Sequence, residues 1–210
     1  MNEQVSFKGC SIVSCGTMRP ELNHLKDEGF LDADKVLYTG PGLHDKPADL
    51  EDQLVRQLRK AKEVSQQIIV VYGKRCFLDM NDPYKSIESI LTDTGENISR
   101  IQAGNCIDFL ADESERERIR SGRKVYWLTP GWLVYWRNIF KDWDVGLANE
   151  TFPQNDAALL LDPINSFEDV TLNDPEKLLE FSDFMKIPVE PVPVSLDRLK
   201  SLLVQELTRQ

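Results

Sequence analysis

Residues 49–73 read DLEDQLVRQLRKAKEVSQQIIVVYG, and this stretch decides the fold class. Leu50, Leu54, Leu58 and Ala61 recur at helical spacing, so Asp49–Ser65 predicts a helix with one apolar face. Gln67–Tyr72 is short, apolar and β-branched, which predicts a buried strand, and Gly73 stops it. The same alternation continues in both directions. Upstream, Ser11–Ser14 reads as a strand ended by Cys15-Gly16, Arg19–Glu28 as a helix, and Lys35–Tyr38 as a strand closed by Gly40-Pro41-Gly42. Downstream, Asp82-Pro83 reads as the N-cap and first residue of another helix, and Arg100–Ala103 as a strand ended by Gly104-Asn105. Cys106–Ala111 then looks like the first turns of a helix. Lys124–Leu128 and Ala157–Leu161 are strands, and Trp132–Trp143 is a helix between them. Glu176–Met185 follows Asp174-Pro175 as a helix, the prolines of Val189–Pro193 confine that strand to a sheet edge, and Leu196–Leu207 is an amphipathic helix. Strands alternating with helices imply an α/β fold, a single three-layer domain over 1–210 with a mainly parallel, Rossmann-like sheet.

Composition narrows the function. The chain has 210 residues, 41% of them hydrophobic, which excludes wholesale disorder. Its 25 Lys and Arg stand against 35 Asp and Glu, a net charge of −10 that argues against a nucleic-acid partner. The first residues lack the pattern of a secretory leader. The longest apolar runs, Ile68–Tyr72 and Ala157–Leu161, fall far short of a membrane span, so a cytoplasmic protein is expected. GxxxxGK[ST], GxSxG, HExxH, DxHxxG and CxxC are all missing, and Gly40-x-Gly42 lacks the rest of a dinucleotide fingerprint.

In open α/β sheets ligands bind beyond the carboxyl ends of the strands. Four successive post-strand loops here carry Cys15, His44, Cys76 and Cys106. If these loops converge, the four side chains form a Cys3His set suited to zinc or an iron–sulfur cluster, with a corrinoid cobalt also chemically admissible. Gly16, Gly42, Gly73 and Asn105 would let the backbone approach a cofactor there, and Trp132 could form a wall over a flat one. Two other readings stay open. The thiols can be small core residues, or Cys106 or Cys76 can be a nucleophile activated by His44, with Cys106 favoured by a helix N-terminus that lowers its pKa. Cys10, an odd spacing from Cys15, faces the other way, and His24 reads as a surface residue. Asp45 and Asp108, each near a candidate ligand, could orient it or serve as ordinary capping groups. Segment 126–143 holds Trp127, Trp132, Trp136 and Trp143, which suit a core stripe or a docking face. Glu113–Arg123 reads as a solvated helix laced with i,i+4 pairs.

Cys15-Gly16 with Pro20-Glu21-Leu22, Gly42-Leu43-His44-Asp45 with Pro47 and Leu50, Tyr72-Gly73-x-x-Cys76, Cys106-Ile107 and Leu128-Thr129-Pro130-Gly131-Trp132 resemble, in order, the domain-of-unknown-function family 1638. The resemblance implies a setting in anaerobes and methanogens, near corrinoid-dependent methyl transfer. It implies an enzyme or accessory protein of one-carbon metabolism, partnered by a corrinoid protein or methyltransferase or by a small-molecule ligand. The residues that match the family pattern are Cys15, His44, Cys76 and Cys106. The sequence departs from the family after Cys76, where no glycine occurs before Gly95, and at Phe109-Leu110-Ala111-Asp112, which implies a remodelled pocket. The leading expectation is a metal centre on those four residues. A metal-free binding module using segment 126–143 and a Cys–His thiol enzyme are the alternatives.

Overall fold

In the computed structural model, which describes residues 5–79 and 82–209, seven strands and nine helices are assigned. The first half runs β1 (Cys10–Ser14), α1 (Arg19–Asp27), β2 (Lys35–Tyr38), α2 (Pro47–Lys62), β3 (Gln67–Val71), α3 (Ile87–Thr94) and β4 (Ile98–Arg100). The second runs α4 (Glu113–Arg120), β5 (Val125–Leu128), α5 (Pro130–Ile139), α6 (Val145–Thr151), β6 (Ala157–Asp162), α7 (Ser166–Asn173), α8 (Pro175–Met185), β7 (Val189–Pro193) and α9 (Asp197–Thr208). The fold is α/β, and every strand pairing is parallel.

The strands divide between two sheets, ordered β2-β1-β3-β4 and β5-β6-β7, where the sequence alone suggests one continuous sheet. The break falls after β4. That strand is three residues long and makes an edge, and the chain leaves it through a loop, a short 3-10 turn at Ile107–Phe109 and α4 before a new sheet begins.

Three apolar clusters follow from this arrangement. Leu50, Leu54, Leu58 and Ala61 of α2 bury one face of the first sheet against Val13, Ile68 and Val70. On the other face, Ile12, Ile69 and Val71 pack with Met18, Leu22 and Leu25 and with Leu199 and Leu203 of α9, so the last helix returns to the first sheet. Leu161 of β6 joins this second cluster and ties the two halves together. The second sheet packs Leu128, Ala158 and Leu160 against Leu133, Phe140, Phe152, Phe181 and Met185.

Several boundaries differ from expectation for local reasons. Asp82 does not cap a helix; it organises a turn, accepting from the Tyr84 amide at 3.2 Å, while Ser86 and Ser89 form the capping box that starts α3 at Ile87. The strand expected at Arg100–Ala103 sits earlier. There Arg100 points its guanidinium at the carbonyls of Tyr72, Ile101 and Ala103 and pairs with Glu88. The Trp132–Trp143 helix starts earlier, at Pro130, and stops at Ile139, and Asp144 caps a new one by accepting from Leu147. Helix α7 escapes the sequence reading because its N-terminal partner is not its own N-cap: Asp162, at the end of β6, accepts from the Ser166 and Phe167 amides. The charged α4 buries no residue, its internal pair, Arg120 with Glu117, is spaced i,i+3, and Arg116 turns to Asp108.

Candidate functional site

The first sheet is parallel, so all four of its strands deliver the chain to one edge. The turns that follow β5 and β6 stand against that edge. The closest approach is at Gly131, where a Cβ would lie 1.7 Å from the Thr17 carbonyl oxygen; only glycine fits there. Gly42, in a left-handed conformation, packs on Ile139, and the His44 and Trp132 rings lie 5.9 Å apart. Lys46 pairs with Asp142 across the same junction.

Three thiols meet here. Cys15 follows β1 and accepts a hydrogen bond from the Thr17 hydroxyl at 3.0 Å. The buried Tyr72 hydroxyl, hydrogen-bonded to Thr39, is close enough to feel Cys15 and Cys76. Cys76 sits on a turn in which its amide donates to the Gly73 carbonyl at 3.0 Å. Cys106 touches both the α1/α9 cluster and the core of the second sheet. Burial pushes the Cys76 thiol up to about 12, and Cys15 beside it adds to the shift. Burial also raises Cys106, with Cys76, Cys15 and Glu21 adding and the nearby Trp132 N–H opposing. Cys15 therefore lies near both other thiols, and Cys76 near Cys106. All three keep partial exposure.

Cys106 does not have the lowered pKa expected of a helix N-terminus. It precedes a single 3-10 turn of three residues, too short for an appreciable dipole, and desolvation dominates. Cys10 is fully buried at the other end of β1 and its thiol is raised to about 11.

The other candidates are placed differently. His44 is exposed, and no shift at a thiol traces to it. Asp45 is exposed as well. Asp108 accepts from the Gly104 amide at 2.8 Å and pairs with Arg116, so it braces the Cys106 loop. Asn105 uses its side-chain oxygen on the Ile107 and Asp108 amides. Gly16 and Gly73 allow close approach between loops: a Cβ on Gly16 would meet the Thr39 carbonyl at 2.6 Å, and one on Gly73 would meet Asn105 at 2.4 Å. Trp132 is nine-tenths buried and packs edge-on to Tyr126 and tilted against Phe140.

The sequence reading passed over Glu21. It is completely buried, its carboxylate oxygens have no hydrogen-bond partner, and burial, with Asp162 nearby, raises it to about 8. A signal was present: Glu21 falls between Met18, Leu22 and Leu25 at helical spacing, on the face that packs inward.

In kind, the donor set suits a soft metal, because three sulfurs lie near one another. In placement it does not enclose a single ion. Among the described residues no three His, Cys, Asp or Glu side chains are grouped to hold one. No helix among the described residues is long and apolar enough to cross a membrane.

The chain matches the family described as Protein of unknown function (DUF1638) over residues 38–203, and it belongs to that family. No curated protein and no solved structure matches it.

Proposed function

We propose that this member of the family carries a soft metal centre on Cys15, Cys76 and Cys106, where the loops after β1, β3 and β4 meet the second sheet. The observation that supports this is the proximity of three partly buried thiols, Cys15 near Cys76 and both near Cys106. Of the two soft centres the residues suggest, we take an iron–sulfur cluster. A cluster spreads its thiolates over several irons, whereas one zinc needs its donors closed around a point, which these side chains do not provide. Bound there, such a centre would supply electron transfer or Lewis-acid chemistry.

The chain's own residues do the rest. Thr17 donates to the Cys15 sulfur, Arg100 lies near enough to Cys76 to favour its thiolate, and the Trp132 N–H favours that of Cys106. Metal binding should therefore release protons from Cys76 and Cys106, whose raised values keep them neutral beforehand. The same neutrality weighs against a free thiol nucleophile. His44 stays exposed at the rim, available as an outer ligand from the β2 loop. The resemblance adds the setting: an enzyme or accessory protein of anaerobic one-carbon metabolism, acting with a corrinoid protein or methyltransferase in the cytoplasm.

Anaerobic purification of the untagged chain, with metal analysis and visible absorption, tests this. Iron and sulfide in a brown sample are expected, and Cys106→Ser should lose the metal while Cys10→Ser keeps it. Absence of metal after reconstitution, or full retention in Cys106→Ser, overturns the proposal.

A further inference from the structure

The three thiols do not pack against the same apolar cluster. Along β1 and β3 side chains alternate between the two faces of the sheet. Val13, Ile68 and Val70 face α2, whereas Ile12, Ile69 and Val71 face the other way. Cys15 lies two residues beyond Val13, and Tyr72 two beyond Val70, so both continue the α2 face. Cys76 packs against that same cluster. Cys106 packs instead against the cluster of the opposite face and the core of the second sheet.

The backbone holds Cys15 and Cys76 close. Ser14 pairs with Val71 in the β1–β3 register, and the Cys15 amide extends that ladder by donating to the Val71 carbonyl at 3.4 Å. Tyr72 is thus the next rung beside Cys15, across a strand spacing of about 4.8 Å. At Gly73 the chain turns. The Cys76 amide donates to the Gly73 carbonyl at 3.0 Å, while the Lys74 and Arg75 amides hold the Ala103 and Gly104 carbonyls at 2.9 and 2.8 Å. Cys76 is therefore pinned just beyond the rung partner of Cys15, and the buried Tyr72 hydroxyl is close to both sulfurs.

Thiol exchange needs one sulfur that attacks and a neighbour that displaces the product. Cys15 Sγ accepts from the Thr17 hydroxyl at 3.0 Å, a bond that steadies negative charge on the sulfur. Cys10 takes no part: it is fully buried at the start of β1, on the opposite face, with its thiol directed to the Ser11 carbonyl. All four cysteines are free thiols.

We propose that Cys15 and Cys76 form a dithiol–disulfide couple that exchanges with a small disulfide, Cys15 attacking and Cys76 resolving. The Cys15 thiolate bonds to one sulfur of the small disulfide and breaks its S–S bond. One half leaves with the electron pair and takes up the proton that Cys15 gave. Cys76 then releases its proton and bonds to Cys15 Sγ, expelling the second half, which takes that proton. Two electrons thus pass from the chain to the small disulfide, which becomes two thiols. The couple goes beyond the metal centre and belongs to the metal-free chain, because a sulfur–sulfur bond withdraws two of the three ligands. Oxidation and metal loading exclude each other.

The test uses the full chain, reduced and chelated without oxygen, with oxidised glutathione as the probe. Intact mass should fall by the two hydrogens lost, and peptide mapping should find Cys15 joined to Cys76 with Cys10 and Cys106 still open to alkylation. Cys76→Ser should trap glutathione on Cys15. Thr17→Val should slow the capture about threefold, because losing one hydrogen bond costs about tenfold in thiolate and the more basic thiolate regains part of it; Thr17→Ser should keep the rate. A link through Cys106, a mixed disulfide that stays unresolved in the parent chain, or no reaction at all overturns the couple. Failure of the metal proposal would appear in the metal analysis and leave these readouts unchanged.

Discussion

The two ends of the first sheet are built from the same strands and treat polar groups in opposite ways. Where β1 and β3 begin, polar side chains answer one another. Asp32 accepts from the Phe7 amide and the Ser6 hydroxyl, and Asp34 from the Gly9 amide and the Ser65 hydroxyl. Ser65 also meets Ser11 at 2.8 Å. These bonds hold both carboxyls below their usual range. Where the same strands finish, a carboxyl and a hydroxyl are buried without partners near three thiols. One end closes the fold. The other departs from the ordinary rules of a stable interior, as proteins do at binding sites.

The largest expected effect comes from forcing the second end apart. Gly131→Ala would drive a methyl into the Thr17 carbonyl, between two backbones that cannot yield, and should cost about 3 kcal/mol or more in urea unfolding. Gly9→Ala at the opposite end is the control. Its φ of +81° is strained for alanine but nothing crowds it, so it should cost about 1 kcal/mol. Equal losses would mean that the junction between the sheets is looser than its contacts imply.

The two ends were not equally legible in the sequence. Helical spacing in Asp49–Ser65 and the β-branched run at Gln67–Tyr72 specify their elements locally, and α2 and β3 follow closely. The glycines after the strands lie at the carboxyl end of the first sheet, and their tight contacts are with neighbouring loops. His44 looked equivalent to the cysteines because spacing carries no information about exposure; the β2 loop leaves it on the rim. The split into two sheets depends on the shortness of β4, which no residue pattern announces. Glu21 was readable as a charge on an apolar face, but its lack of a partner depends on α5 and β6, more than a hundred residues away in the chain.

A smaller and more specific effect is expected at Glu21. Its value rises from an ordinary 4.5 to about 8 in the folded chain. Between these values the native state holds a proton that the unfolded state has lost. Stability is therefore greatest below pH 4.5, as far as this group is concerned, and falls by up to about 1.4 kcal/mol per pH unit as pH rises toward 8. Glu21→Gln should remove that slope and gain about 2 kcal/mol at pH 7, less than the full accumulated effect because the amide remains unpartnered. Urea unfolding of both proteins at pH 5, 6, 7 and 8 measures it. Parallel curves would show that Glu21 finds a partner in solution, and the contrast between the two ends would shrink accordingly.

The smallest effect belongs to the closed end and has the opposite pH signature. Ser65→Ala removes a bond to the exposed Asp34, which water can replace, and one to the fully buried Ser11, which water replaces only in part. A drop in Tm of about 3 °C is expected at pH 7. Asp34 is held below its usual 3.8 chiefly by the Ser65 hydroxyl. Its contribution is therefore present above pH 3.8 and is lost as pH falls through the lower, folded-state value. Removing the hydroxyl should raise the Asp34 titration point and shrink the gap between mutant and parent in strong acid. Thermal melts at pH 7 and near pH 2 read the difference directly: a gap unchanged in acid would assign the loss to the buried Ser11 hydroxyl alone and leave Asp34 outside the network that closes this end of the sheet.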